Sequence, residues 1–261
     1  MRDLLRAGFR ALGFDIFRYP KGCEQLEAHL RLLVPRRGVD VLFDVGANRG
    51  QFAAQLRRIH PALQIHSFEP HPAACAALRG CAANHPSWHV YAFGLGRSAG
   101  RAELTCYATD TFSSVLPINA LGRQRFSTEL RPIDSVEIAL RTLADVIEND
   151  LRGVCGNRPM LKLDTQGLDF DVLQGAGSWL DRFDLVVTEA SLRPIYERAA
   201  RFGDILEFLT ARGFTLSGFF PVSRADDFSV IEADVVFVRQ YSVADSGQLG
   251  TDDTHPGSSP G

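Results

Sequence analysis

Lysine is almost missing from this chain: Lys21 and Lys162 are the only two, and every other long basic residue is arginine. That scarcity makes the lysine kept at position 162 informative. Excess positive charge is missing too. With 28 basic and 31 acidic residues the formal net charge is −3, without the basic footprint of a nucleic-acid binder, so no nucleic-acid partner is expected. The five cysteines are odd in number and contain no C-x-x-C, which excludes a disulfide framework and a zinc cluster and suits a reducing, cytoplasmic setting. Met1 to Arg6 lack the apolar core of a secretion signal, and no apolar run approaches the about 20 residues needed to span a bilayer. Neither G-x-G-x-x-G nor G-K-[ST] occurs, which counts against a dinucleotide-binding fingerprint and a P-loop.

What remains is ordinary for a folded enzyme. The 261 residues are 45% hydrophobic and 23% charged, enough for one large α/β domain with a buried core. Residues 1–35 carry Leu4, Leu5, Phe9 and Leu12, then Leu26, Leu30 and Leu33, at helical spacing. This N-terminal helical segment either packs on the domain or, with its interleaved arginines, makes a peripheral membrane contact. The domain proper is expected over 36–240. The Ser-, Asp-, Gly- and Pro-containing tail at 241–261 is expected to be disordered.

From Asp40 strand and helix patterns alternate. Val39–Phe43, Gln64–Glu69 and Trp88–Phe93 read as strands; Gln51–Ile59 and the stretch opened by Pro72 read as helices. The alternation breaks at 97–141, an insertion with β-like stretches at Arg101–Tyr107 and Ser135–Leu140. An insertion this long is expected to serve function, here as a hairpin-like excursion plus a loop over the substrate site. A helix at Leu143–Ile147 follows, then strands Met160–Asp164 and Asp184–Glu189 with a helix around Leu168–Ala176 between them. A helix at Ile205–Leu209 and strands Phe214–Phe219 and Ala233–Val238 end the series. Repeated βα units imply an α/β fold, a mostly parallel sheet with helices on both faces. The last two strands, lacking a helix between them, form an antiparallel hairpin.

In such sheets ligands bind at the carboxyl ends of the strands, where the strand order reverses. The loop there is Asp44-Val45-Gly46-Ala47-Asn48-Arg49-Gly50. Gly46 allows a tight turn and close backbone approach, and Gly50 lets the next helix pack closely. Asp44 would repel a phosphate and suits a cationic ligand. Glu69, ending the second strand, is placed to accept hydrogen bonds from ribose hydroxyls. Gly94, at the end of the third strand, belongs to the same rim.

Four segments together resemble the FkbM family of methyltransferases: Phe43–Gly50, Phe68-Glu69-Pro70-His71-Pro72, Leu161-Lys162-Leu163-Asp164-Thr165-Gln166-Gly167 and Val172-Leu173-Gln174-Gly175-Ala176. They occur in family order across Val39 to Arg239. The resemblance implies a class I methyltransferase Rossmann-like fold with a seven-stranded sheet. It implies S-adenosyl-L-methionine as cofactor and O-methylation of a hydroxyl on a sugar, glycolipid or polyketide-type acceptor. By it Asp44, Gly46, Asn48, Gly50, Glu69 and Pro70 contact the cofactor. Two departures stand out. His71 replaces a frequent Asn, and Gln166 occupies a position where many relatives carry Glu, so any role of that Glu is altered here.

Methyl transfer to a hydroxyl requires alignment of the nucleophile and removal of its proton. Asp164, at the end of the fourth parallel strand, is the first choice as base or orienting residue, with helix capping or cofactor contact as alternatives. Glu189 ends the next strand and can join it around an acceptor hydroxyl or a divalent metal. Two carboxylates alone do not make a magnesium site. Lys162 shares a strand face with Asp164 and reads either as a catalytic neighbour or as a structural ion pair. His66 and His71 flank Glu69 on the cofactor side. Thr109–Ser114 offers hydroxyls beside Phe112, a surface for a sugar or an ordinary polar loop. Two other classes remain open, a non-catalytic cofactor-binding module of a biosynthetic complex and an NAD-type oxidoreductase.

Overall fold

Strand Val41–Val45 is buried at all five positions, the pattern of a strand covered on both faces. Its surroundings come from a computed structural model that describes residues 25–109, 112–126 and 131–240. The helical reading before residue 25, Asp110 and Thr111 of the polar segment, and the expected disorder of 241–261 lie outside the described residues.

In chain order the elements are α1 (Leu26–Arg37), β1 (Val41–Val45), α2 (Gln51–Ile59), β2 (Gln64–Phe68), α3 (Pro72–Ala82), β3 (Trp88–Tyr91), β4 (Gly94–Leu95) and β5 (Gly100–Tyr107). They continue with α4 (Ala120–Arg125), β6 (Pro132–Arg141), α5 (Leu143–Asp145), β7 (Pro159–Leu163), α6 (Asp169–Gly175), β8 (Leu185–Ser191), α7 (Phe202–Thr210), β9 (Phe214–Arg224) and β10 (Val230–Arg239).

Seven strands form one sheet in the order β3-β2-β1-β7-β8-β10-β9. β10 runs antiparallel to both β8 and β9, so the chain ends in the antiparallel pair the sequence implied. This is a Rossmann-like α/β arrangement, a mostly parallel seven-stranded sheet with an antiparallel C-terminal pair. Successive strand residues point to opposite faces, and each face has its own helices. Phe43, Leu161 and Leu163 pack with Leu143, Val172, Leu173 and Leu209 from α5, α6 and α7. Leu42, Ile65, Met160 and Val236 pack with Leu30 and Val34 of α1, Leu56 of α2 and Leu78 of α3. None of the described helices is long and apolar enough to cross a membrane.

The break at 97–141 is a second, three-stranded sheet of order β4-β6-β5, in which β5 and β6 are antiparallel. Between them, Ile118 bridges to Tyr196, the Asn119 side chain donates to the Pro194 carbonyl at 2.7 Å, and the Glu197 N–H donates to the Pro117 carbonyl at 2.7 Å. The excursion is thereby fastened to the segment that follows β8.

Several element boundaries differ from the sequence reading, and β9 and β10 are longer than expected. β1 runs two residues further on and includes Asp44, because Lys162, its register partner on β7, balances the charge that argued for a strand end. The third strand stops at Tyr91, and Gly94–Leu95 leaves the main sheet to pair with Leu140–Arg141. The helix expected at Leu143–Ile147 is α-helical only to Asp145 and widens into a π-helical turn at Val146–Asp150. There the Arg141 guanidinium reaches both Asp145 and Asp150.

Candidate active site

The strand order reverses between β1 and β7, and the loops leaving their carboxyl ends meet there. Gly46 has φ of +70°, and a Cβ on it would lie 1.9 Å from the Asp164 carbonyl oxygen. Only glycine lets these loops approach so closely. Two non-glycine residues beside it also adopt left-handed backbone, Asn48 (φ 47°) and Gln166 (φ 51°). Such conformations cost free energy and collect where a site over-determines them.

Beneath the loops sits a balanced group of charges. The Lys162 ammonium lies 3.3 Å from Asp44 Oδ1 and 3.5 Å from Asp164 Oδ2, donates to the Gly46 carbonyl at 3.3 Å, and stands over the Phe52 ring. Asp44 is fully buried, and burial raises its pKa against the opposing pull of Lys162. Burial works against the Lys162 ammonium as well, yet Asp44 and Asp164 together hold it above its usual range. Neither Asp44 oxygen receives a well-aligned hydrogen bond, and Asn48 Oδ1 is likewise buried without a partner. An unpaired buried acceptor such as Asn48 Oδ1 suits a ligand that brings a donor.

Glu69 is nearly buried and accepts the Asn48 and His71 backbone N–H groups, each at 2.8 Å. Burial raises its pKa, and those two donors oppose the rise. Each carboxylate oxygen keeps a lone pair for a further donor.

Above the charges opens a cavity of about 400 Å³ lined by Gly46, Asn48, Phe112, Ser113, Phe126, Asp164, Gln166, Glu189, Val222, Ser223 and Glu232, a size that suits a small-molecule site. Of the sequence candidates it brings together Gly46, Asn48, Asp164 and Glu189, with Phe112 and Ser113 of the polar segment. Lys162 and Asp44 lie under its floor.

Others are placed elsewhere. Gly50 caps α2 beneath Leu78 and Trp88, and Gly94 packs beside Leu140 and Pro70; Gly94 and Pro70 are outside the lining of this cavity. His66 shares the Phe68 side of β2 and stacks between Phe43 and His89 at 5.2 Å from each. It belongs to a core face, and burial drives its pKa down to about 4. His71 caps α3, its Nδ1 accepting the Ala74 N–H.

Glu232, Asp169, Tyr196, Phe126, Val222 and Ser223 escaped the sequence reading. A signal for Glu232 existed: it and Asp234 interrupt the otherwise apolar run of β10 that leads up to Arg239, where an isolated charge needs a reason. Burial and the Asp164 charge push Glu189 well above the usual carboxylate range, with Glu232 adding to it. Among the described residues no group of three or more His, Cys, Asp or Glu is arranged to hold a metal ion.

Asp169 fastens the Asp164–Gly167 turn by accepting from the Thr165 hydroxyl at 3.1 Å and the Thr188 hydroxyl at 3.2 Å. Burial, then the Asp164 charge, raises its pKa from 3.8 to about 6. A carboxyl raised in the folded state contributes stability that is present below its ordinary pKa and lost as pH rises through the folded value. Unfolding free energy measured in urea at about pH 4 and about pH 7 is expected to show this decline, less steeply in Asp169→Asn. Equal slopes in the two proteins would count against the assignment.

The model of the methyltransferase FkbM domain matches residues 44–216, from the buried Asp44 into β9. The chain belongs to the FkbM methyltransferase family. Among its FkbM relatives, 31-O-demethyl-FK506 methyltransferase FkbM of Streptomyces tacrolimicus is 29% identical over 210 residues, covering 72% of this chain and 77% of its own. Methyltransferase 1 of Beauveria bassiana is 26% identical over 190 residues, covering 67% and 72%. Among solved structures, the precorrin-6y C5,15-methyltransferase of Geobacter metallireducens aligns over 84% of this chain and 92% of its own, at 11% identity and a TM-score of 0.42.

Proposed function

We propose that this FkbM methyltransferase uses S-adenosyl-L-methionine to methylate a hydroxyl on a sugar, glycolipid or polyketide-type acceptor. The observation that carries the reading is the pairing, on one cavity, of the Gly46–Asn48 loop with the carboxylates Asp164 and Glu189. When bound, the cofactor supplies an electrophilic methyl on a sulfonium, whose departure needs no acid.

The protein's own residues do the rest. Glu69, its carboxylate held by two N–H groups, accepts the ribose hydroxyls. Asn48 Oδ1, buried and unpaired, accepts a further cofactor donor. Asp164, with 43% of its side chain exposed, takes the acceptor's proton as the oxygen attacks, and Glu189 stands beside it as the second acceptor for that hydroxyl. Phe112 and Phe126, with ring centroids 5.4 Å apart, form an aromatic wall suited to the apolar face of a sugar ring. Lys162 keeps the charges under the floor in balance.

S-adenosyl-L-methionine affinity measured by calorimetry is expected to fall at least about tenfold in Glu69→Ala, the loss of one or more charge-assisted hydrogen bonds. Unchanged affinity would remove Glu69 from the cofactor site. Incubation with methyl-labelled cofactor and cell-envelope extracts, followed by identification of the labelled product, tests the whole reading. Label on a carbon or nitrogen atom, or intact cofactor binding with no labelled product, would overturn it, the latter favouring a binding module.

A further inference from the structure

The turn after β7 carries a side chain that the function just proposed does not use. Gln166 Nε2 donates to Asp164 Oδ1 at 2.8 Å and to Glu189 Oε2 at 3.1 Å. A primary amide has two N–H donors, and here each goes to a different carboxylate. The amide oxygen points the other way and accepts the Tyr196 hydroxyl at 3.0 Å. That hydroxyl also lies 2.9 Å from the Phe112 carbonyl. Reversing the amide would aim its oxygen at two carboxylates, so chemistry fixes its orientation. The backbone is fastened as well: the Ser114 hydroxyl donates to the Gln166 carbonyl at 2.7 Å, and Gln166 is held in left-handed backbone.

We infer that Gln166 is a positioning residue: its amide sets the spacing and charge of the Asp164–Glu189 pair, and Tyr196 sets the amide. This rests on the reading of Asp164 and Glu189 as the groups that meet the acceptor hydroxyl. The clamp shares a neutral group between two neighbouring carboxylates. Each keeps one oxygen clear of the amide, Asp164 Oδ2 toward Lys162 and Glu189 Oε1 for the acceptor. A carboxylate at position 166 would instead add a third negative charge, which pushes the proton affinity of the whole group upward. Tyr196 comes from the segment bridged to Ile118, and Phe112 and Ser114 come from the excursion. The clamp therefore also ties the aromatic wall to the catalytic pair.

The isosteric Gln166→Glu is expected to lower kcat about a hundredfold, within the usual range for general-base catalysis. The acid limb of its kcat–pH profile is expected to move to higher pH, with cofactor affinity by calorimetry within about threefold of the parent. Tyr196→Phe keeps the ring and is expected to lower kcat about tenfold, the loss of one hydrogen bond to the clamp. Since Tyr196 acts through Gln166, the double variant Tyr196→Phe/Gln166→Leu should be no slower than Gln166→Leu alone. An unmoved pH profile with near-parental kcat in Gln166→Glu would overturn the inference, and multiplicative losses in the double variant would overturn the relay from Tyr196. Asp164→Asn and Glu189→Gln are assayed alongside. If they lose turnover while Gln166→Glu does not, the clamp alone fails; if they retain turnover, the underlying reading of the pair fails and the clamp with it.

Discussion

Asp164→Asn is expected to abolish most methyl transfer, lowering kcat by about 10²–10⁴-fold, while S-adenosyl-L-methionine still binds. Asparagine keeps the volume and one oxygen but cannot take a proton. The loss should therefore fall on kcat rather than on KM. The geometry explains why binding survives. The Asp164 backbone carbonyl, not its side chain, is what closes against Gly46, and its side chain is 43% exposed while Asp44, Asp169 and Glu232 are buried. Removing its charge also relieves Glu189, whose pKa burial and Asp164 both hold up. Residual activity carried by Glu189 should therefore titrate at lower pH than the parent. A kcat within about threefold of the parent would remove Asp164 from the proton-transfer role.

The sequence made the sheet and its reversal point legible because both faces are covered, leaving near-continuous apolar strands with polar residues at their carboxyl ends. Asp44, Gly46, Asn48, Asp164 and Glu189 were visible for that reason: each breaks an apolar run where the fold gathers strand ends. Gly94 shows what a strand-end glycine leaves unsaid: its close packing on Leu140 appears only in the folded chain. Tyr196 and Phe126 were invisible because they reach the site through irregular segments, where no period reveals which way a side chain faces. Gln166 stands out as a departure from its relatives, but its partners come from the turn after β7, from β8 and from the segment after β8. Only the folded chain brings this amide onto both Asp164 and a carboxylate 23 residues further along from Gln166 itself. Glu232 shows the remaining gap: its charge interrupts an apolar strand, yet nothing in the sequence says that β10 lies beside β8 rather than at the edge.

Lys162→Met is expected to destabilise the fold by about 3–5 kcal/mol, the cost of stranding a buried charge. Asp44 has no exposure to water, and its oxygens have no well-aligned hydrogen bond to fall back on. With the ammonium gone, burial and the Asp164 charge are opposed only by Ser67, and the folded pKa of Asp44 climbs further. A raised carboxyl contributes stability at low pH that is lost as pH rises, so the deficit should be smallest at about pH 4 and widen toward about pH 8. Denaturant unfolding across that range checks the sign, and a deficit independent of pH would show that lost packing on Phe52 dominates. The double variant Asp44→Asn/Lys162→Met removes both charges and should recover most of the stability. It also separates the two readings of Lys162. If the recovered protein transfers methyl groups, the lysine serves to balance Asp44 and to hold the Gly46 loop through its carbonyl. If it folds and binds cofactor but does not turn over, the ammonium 3.5 Å from Asp164 Oδ2 acts on the reaction itself, by holding that carboxylate ready for the acceptor's proton.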